Sequence, residues 1–282
     1  MGEIALYVSC HRESEIPKHP LLRPIQVGAA LAEQHFPGFL YDDDGENISE
    51  RNHAYCELTA QYWAWKNSNA EYCGFFHYRR FLYPDTEARS PYLIKPMATT
   101  EMLKQLGYDR FEALIRQYDL ILPIREEMFV PVREHYANAQ FHHKDDLLRM
   151  ERIIAELYPE DAAAADAYFS GTKQVFGNIF IMRRNVFEKY CAWLFPLLEE
   201  FDHRTDMSGW SPQEVRADGY LAERLLGVYV QAHCGALKTM ELPRVIFCGG
   251  AEYVKKSLLN ALLPPNSRRR SVVKGMRQGN HG

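Results

Sequence analysis

Polar and basic side chains stand where two apolar runs of the sequence end. The run at residues 4–9 ends in Ser9 and is followed by Cys10, His11 and Arg12. The run at residues 71–76 is followed by His77-Tyr78-Arg79-Arg80. In open α/β sheets, ligands bind beyond the carboxyl ends of the strands, so both groups stand where a site is expected. Adjacent arginines can offer paired N–H donors to phosphate oxygens and neutralise a departing diphosphate. Residues 77–80 therefore predict a phosphate site, with a surface ion-pair cluster as the alternative.

A run of three carboxylates, Asp42-Asp43-Asp44, stands before Gly45. Carboxylate oxygens are the ligands that hard cations prefer. Consecutive carboxylates point in different directions, however, and this run does not follow an apolar strand. We therefore predict a turn or capping role and no metal ligand here, while Mn²⁺ or Mg²⁺ binding stays open as the alternative.

Glu223 stands in an apolar-periodic segment at residues 219–230. A carboxylate on a helix near the rim of the sheet could take the proton from an acceptor hydroxyl. The neighbouring Arg224 supports a different interpretation, a buried ion pair, which residue chemistry alone favours.

Three histidines, His135, His142 and His143, lie in the polar segment 133–146. Their spacing matches no metal-binding motif. We interpret the segment as a mobile loop that contacts an acceptor.

The common catalytic motifs are missing from the sequence. It contains no GxSxG, no HExxH, no P-loop and no GxGxxG, which removes the usual support for hydrolase, kinase and dehydrogenase functions. The net charge of −4 argues against nucleic acid as a partner. The six cysteines form no CxxC pair, and no run is apolar enough for a signal peptide or a membrane span, so we expect a cytoplasmic protein.

Alternating strand and helix patterns predict the elements that position these residues. We predict strands at residues 4–9, 71–80, 118–123, 176–183 and 244–247, and helices at residues 52–65, 145–157, 188–200 and 219–230. Such alternation predicts an α/β sheet that is covered by helices on both faces.

The sequence divides into a main domain at residues 1–262 and a basic tail at residues 263–282. The tail holds Arg268, Arg269, Arg270, Lys274 and Arg277 and few apolar residues, which predicts disorder. It is either a solvated tail or a weak electrostatic contact with anionic lipid at the membrane surface.

Long blocks of the sequence resemble the family known as domain of unknown function 4422. They are IPKHPLLRPIQVGAAL, YDDDGENISERNHAYCELTAQYWAWKN, EYCGFFHYRRF, REHYANAQFHHKDDL, GNIFIMRRNVFEKYCAWLFPLLEE and DGYLAERLLGVYV. The resemblance covers residues 4–247. Members of that family are associated with capsular, exopolysaccharide and O-antigen gene clusters, and some are linked to galactofuranose transfer from a UDP donor.

The resemblance implies a GT-A-like fold, a nucleotide-binding α/β sheet flanked by helices, with a small acceptor-side part. It implies a glycosyltransferase that moves a sugar, with galactofuranose as a candidate, from a UDP-sugar to a glycan or lipid-linked glycan. We predict that the reaction inverts the anomeric centre. No DxD stands where GT-A enzymes carry one, so arginines are expected in place of a metal ion. For this reaction we predict Glu223 as the first choice of catalytic base, with Asp43 and Asp44 behind it. We predict Ser9, His11, Arg12, His77, Arg79 and Arg80 for the nucleotide and its diphosphate, and His135, Tyr136 and Asn178 for the acceptor.

Two other functions stay open at this point. A non-catalytic nucleotide- or glycan-binding protein of a polysaccharide assembly complex would bind these ligands without releasing UDP. A phosphotransferase would move phosphate instead of sugar, although no phosphoryl-transfer motif supports it.

Overall fold

The computed structural model of the chain describes residues 2–270. Within that range the strands are β1 (Ile4–Cys10), β2 (Leu22–Gln26), β3 (Leu40–Tyr41), β4 (Tyr72–His77), β5 (Arg80–Leu82), β6 (Tyr92–Lys95), β7 (Leu120–Pro123), β8 (Glu126–Glu127), β9 (Lys173–Gln174), β10 (Phe180–Arg183), β11 (Thr239–Leu242) and β12 (Arg244–Phe247). The α-helices are α1 (Asn52–Tyr55), α2 (Leu58–Asn67), α3 (Thr100–Gln105), α4 (Phe111–Ile115), α5 (Val132–Ala137), α6 (Lys144–Leu157), α7 (Ala162–Ser170), α8 (Arg184–His203), α9 (Ala217–Ala232) and α10 (Gly250–Leu262).

The main sheet has the strand order β11-β7-β10-β4-β1-β2-β3, and β5, β6 and β12 extend it beside β4. Strand β1 is parallel to both β2 and β4. Strand β10 is antiparallel to both of its neighbours, β4 and β7. The carboxyl ends of β1 and β4 therefore meet the amino end of β10 at one edge of the sheet.

The central strands are apolar because both faces of the sheet are covered. Every residue of β1 is buried, as is typical of a strand inside a mainly parallel sheet. Its side chains alternate between two cores. Ala5 and Tyr7 pack with helices α2 and α5 to α9, whereas Ile4, Leu6 and Val8 pack against the side that holds α3 and α4. The predicted α/β sheet with helices on both faces is confirmed.

Three of the predicted elements break or end where the backbone turns. The single helix predicted at residues 52–65 is two helices, because Cys56 has a φ of 51° and interrupts it. The strand predicted at residues 71–80 ends at His77 and turns into β5 at Arg80. The strand predicted at residues 176–183 begins only at Phe180, because Gly177 and Asn178 have positive φ angles that end the extended chain.

Strand β2 lies in a segment for which the sequence predicts no element. Pro24 stands in the middle of this strand, and a proline ordinarily argues against a strand inside a sheet.

The part of the basic tail that the structure describes packs on the protein. The Arg270 guanidinium donates to Asn260 Oδ1 at 2.6 Å and to the Leu263 carbonyl at 2.9 Å. Residues 271–282 lie outside the described range, and the disorder expected for the tail stays a prediction. No helix within residues 2–270 is both long and apolar enough to cross a membrane.

Gly74 in β4 is required by the close packing of the central strands. A Cβ atom at this position would lie 2.4 Å from Leu6 Cδ2 and 3.0 Å from Ile181 Cγ1. We expect Gly74→Ala to lower the free energy of unfolding by about 1–3 kcal/mol, the usual effect of overpacking a core. Urea denaturation measures this change. Gly249→Ala is the control, since its Cβ would meet no atom closer than 3.9 Å; equal midpoints for the two variants would contradict the packing described here.

Candidate functional site

A cavity of about 760 Å³ opens at the sheet edge where β1 and β4 end. Its volume suits a ligand of nucleotide size. Ser9 and His11 line it after β1, and His77, Arg79 and Arg80 line it after β4. The other walls come from the α1–α2 break, from Gly177 and from a loop that leads into α9: Val27, Asn52, His53, Cys56, Glu57, Trp210, Pro212, Val215, Arg216, Gly219, Tyr220 and Glu223.

Three arginines line this cavity: Arg79, Arg80 and Arg216. Within residues 2–270, none of the three guanidinium groups forms a salt bridge with a carboxylate. Burial lowers the pKa of Arg80, although Glu223 and Glu57 act in the opposite direction. Arg12 stands beside them, with its guanidinium 5.0 Å from the centre of the Tyr78 ring. Cations that lack paired anions make the cavity a strong site for an anionic ligand.

Two histidines stand among these arginines, with the ring centres of His11 and His77 6.1 Å apart. Burial, then Arg80, His11 and Arg79, lowers the pKa of His77 to about 3. The pKa of His11 is lowered by burial and by Arg12, Arg216 and Arg79. His77 Nδ1 accepts from the Arg79 backbone N–H at 3.3 Å, so the ring proton is on Nε2. A neutral His77 can therefore donate a hydrogen bond to a ligand.

Two carboxylates, Glu57 and Glu223, complete the polar surface of the cavity. Both carboxylate oxygens of Glu223 accept hydrogen bonds from the protein: Oε1 from the Gly177 N–H at 3.0 Å and Oε2 from Arg224 at 2.9 Å. The ion pair with Arg224 that the sequence favours is thus present. Glu57 accepts from Asn178 Nδ2 at 2.8 Å through Oε1. Burial, with the nearby Glu223 as a smaller cause, raises the pKa of Glu57.

The turn before β10 holds the walls of the cavity together. Asn178 Nδ2 donates both to Glu57 and to the Gly219 carbonyl, at 2.8 and 3.1 Å. Asn178 has a φ of 48°, a left-handed conformation that asparagine adopts more readily than most residues. The same turn therefore joins the sheet to α2 and to α9.

The break between α1 and α2 brings Glu57 and Arg216 to the cavity. Cys56 has the strained backbone angles φ 51° and ψ −127°. The Arg216 Nε–H donates to Cys56 Sγ at 3.2 Å, and a Cβ at position 219 would lie only 3.2 Å from that sulfur. Gly219 thus allows α9 to approach the broken helix closely.

Two aromatic side chains on the rim of the cavity stack on histidines. Tyr220 stacks on His142, and Trp210 stacks on His143, with ring centres 4.2 Å apart in both pairs. The polar segment 133–146 therefore lies behind the rim instead of lining the cavity. Flat aromatic faces of this kind suit contact with a sugar ring.

The acidic run is a structural turn. Asp42 is buried and accepts from the Gly28 and Ala29 N–H groups at 2.8 and 2.9 Å and from Ser49 Oγ at 2.5 Å. A carboxylate with three donors is not a free metal ligand. Within the described residues, no group of three or more His, Cys, Asp or Glu side chains is placed to hold a metal ion.

The structure brings most of the predicted site residues together. Ser9, His11, His77, Arg79, Arg80 and Glu223 line the cavity. Asn178 lies beneath it, and Tyr136 is buried below the Arg224 guanidinium, with 5.2 Å to the ring centre. His135 packs near Phe176, with ring centres 5.9 Å apart. Asp43 and Asp44 do not line the cavity; Asp43 contacts His35 at 3.1 Å.

Sequence analysis missed Glu57, Arg216 and Trp210. Glu57 stands within a continuous helical pattern, which hides the break that exposes it. Arg216 and Trp210 lie in a segment without periodicity, and only the stacked packing against His143 and the bond to Cys56 place them at the cavity.

Comparison with known proteins identifies relatives of the chain. The family described as "Domain of unknown function (DUF4422)" matches residues 5–234. The solved apo structure of WbbM, a bifunctional glycosyltransferase, is similar at 30% sequence identity with a TM-score of 0.81. The similarity covers 87% of this chain and 45% of that one, so the chain spans less than half the length of WbbM. No match is found among curated proteins.

The low pKa of His77 makes the stability of the protein depend on pH. An unfolded histidine titrates near its ordinary value of 6.5, whereas the folded one titrates at about 3. Between these values the unfolded chain binds a proton that the folded chain does not, so the free energy of unfolding falls as the pH drops. From pH 7 to pH 5 this group alone should remove about 2 kcal/mol. We expect His77→Gln to remove that component of the slope in urea denaturation.

The matched control for this prediction is His203→Gln at the exposed end of α8, which should keep the slope of the wild type. If His77→Gln and the wild type lost stability equally from pH 7 to pH 5, His77 would not be held neutral.

Proposed function

The chain belongs to the DUF4422 family, and from this premise and its arginine-lined cavity we propose that it is a glycosyltransferase. It moves a sugar from a UDP-sugar to a hydroxyl group of a growing surface polysaccharide. The observation that carries the proposal is the group of three cavity arginines without salt bridges, which suits a diphosphate. The likeness to WbbM, a glycosyltransferase, supports the same reaction class. The family resemblance makes galactofuranose the first sugar to test.

The arginines bind the diphosphate and stabilise it as it leaves. Arg79 and Arg80 follow β4, Arg216 faces them from the start of α9, and Arg12 adds charge after β1. Guanidinium groups give paired, charge-assisted hydrogen bonds to phosphate oxygens. Neutral His77 and Ser9 add hydrogen bonds, since the buried Ser9 Oγ has no partner within the described residues. These groups do the work that a divalent cation does in many glycosyltransferases.

Glu57 is the general base and Glu223 positions the site. A base must accept a proton through an oxygen that the protein leaves available. Both oxygens of Glu223 already accept hydrogen bonds, whereas Asn178 is the one side-chain donor to Glu57 within residues 2–270. The raised pKa of Glu57 increases its strength as a base.

The reaction inverts the anomeric centre in a single displacement. The acceptor oxygen forms a bond to the anomeric carbon, and its proton passes to Glu57. The bond from that carbon to the diphosphate oxygen breaks, and UDP leaves with the electron pair beside the arginines. Trp210 and Tyr220 hold the acceptor at the rim, and His143 and His142 stack on them from behind. Tyr136 packs in turn against His142, with ring centres 4.5 Å apart.

Nucleotide binding should occur without a metal ion. UDP at about 100 times its dissociation constant stabilises the protein by about 2.7 kcal/mol, which should raise the melting temperature by about 5 °C or more. We expect this shift with excess EDTA. Arg80→Ala should weaken UDP binding by about ten- to hundredfold, because charge-assisted hydrogen bonds are lost, and should remove most of the shift.

Arg89→Ala is the control for that experiment, since Arg89 is exposed and does not line the cavity. A shift that appears only after Mn²⁺ is added would refute binding by arginines alone. An absence of any shift with UDP would refute the donor assignment and favour a binding protein for glycans.

Glu57→Gln separates chemistry from binding. It keeps the hydrogen bond from Asn178 but cannot accept a proton, so we expect kcat to fall by about 10²–10⁴-fold while the UDP-induced melting shift persists. UDP release from UDP-sugars in the presence of acceptor measures kcat. Glu223→Gln should lower both the stability and kcat, but kcat by less than Glu57→Gln does. Glu87→Gln, on an exposed loop, is the neutral control. Full turnover in Glu57→Gln together with a dead Glu223→Gln would assign the base to Glu223.

A further inference from the structure

Helix α10 presents an apolar stripe to solvent. Val254, Leu258 and Leu262 are 54%, 59% and 78% exposed. Their spacing of four residues places them on one face of the helix. The opposite face packs on β6 through Tyr253, and α10 has no fully buried residue. Three large apolar side chains in a row are unusual on a free surface and mark an interaction site.

The segment that contains α10 is strongly basic, in contrast to the rest of the chain. Residues 250–282 hold seven Lys and Arg and one Glu, a net charge of +6. Because the whole chain carries −4, the first 249 residues carry −10. Lys255 on α10 and Arg268 and Arg269 after it are exposed. This asymmetry favours a strongly anionic partner for one end of the molecule.

We propose that α10 docks on the surface of an anionic lipid bilayer, with its axis parallel to the surface and the stripe Val254-Leu258-Leu262 inserted among the acyl chains. An amphipathic helix with apolar residues on one face and basic residues beside them binds membranes in this way. A second copy of the chain fits this surface less well. Three side chains give far less area than the roughly 800 Å² per partner of a stable interface, and a two-fold dimer would bring two segments of charge +6 together.

Docking through α10 places the candidate site near the bilayer. Strand β12 leads into α10, and its Phe247 N–H donates to the Arg79 carbonyl at 2.9 Å. A hydrogen bond from Lys256 lowers the pKa of Glu252 on α10, and Arg79 is the smallest cause of the shift. If the proposed function holds, a lipid-linked acceptor would be within reach of the cavity; the docking itself does not depend on that function.

Vesicle sedimentation tests the docking with the full chain. Vesicles of phosphatidylglycerol and phosphatidylcholine should bind the wild type, and vesicles of phosphatidylcholine alone should bind it about tenfold or more weakly. The triple variant Val254→Ser, Leu258→Ser, Leu262→Ser should bind the anionic vesicles about tenfold or more weakly, because the inserted stripe is lost. The triple variant Lys255→Glu, Arg268→Glu, Arg269→Glu should lose binding to a similar extent.

The control is Leu31→Ser with Leu157→Ser, two exposed leucines outside α10, which should bind as the wild type does. Melting temperatures without nucleotide establish that each variant is folded, which keeps this test separate from that of the proposed function. If the serine variant bound the anionic vesicles as strongly as the wild type, the proposal would be overturned. The basic tail, and not the apolar stripe, would then account for the binding to the vesicles. A wild type that sediments without vesicles as a dimer, and becomes a monomer in the serine variant, would assign the stripe to self-association instead.

Discussion

The site depends on the carboxamide of Asn178, which donates to Glu57 on one wall and to the Gly219 carbonyl on the other. These two bonds join the sheet to a broken helix and to the first turn of α9. The bonds offset two unfavourable features of the broken helix, because the Cys56 backbone is strained and Glu57 is a carboxylate that burial disfavours. The Gly177 N–H adds a third bond, to Glu223, from the next residue of the same turn. The shape of the cavity therefore follows from one left-handed turn ahead of β10.

Around that turn, the cavity has more positive than negative charge that is left unpaired. Glu223 is neutralised by Arg224, and the cavity arginines are left without carboxylate partners of their own. Half-buried cations without anions destabilise a folded protein, so the cost is offset only when an anion binds. Neutral His77 in the same place avoids adding a further positive charge, since burial and the arginines hold its pKa at about 3. The arrangement favours a ligand with two or more negative charges over one with a single charge.

The sequence predicts the scaffold better than the contacts that complete the site. The apolar run at residues 4–9 and the basic group at residues 77–80 are strong local signals, and they contain four of the residues that line the cavity: Ser9, His77, Arg79 and Arg80. Glu57 could not be found in this way, because the strained turn at Cys56 depends on packing against Gly219, about 160 residues later. The role of Asp42 was open for the same reason: its donors come from Gly28, Ala29 and Ser49, which periodicity does not bring together. Residues that meet only in the folded protein leave no pattern in the sequence.

The turn that carries Arg79 and Arg80 is held from two sides, and this links the site to the outer surface. On one side it continues β4, and on the other β5 pairs with β12 through Arg80 and Ile246. Strand β12 in turn leads directly into α10, whose apolar stripe faces solvent. Closely packed strands deform little, so a displacement of one strand displaces its neighbour as well. A contact that holds α10 in place therefore acts next to β12, the strand that pairs with the turn carrying Arg79 and Arg80.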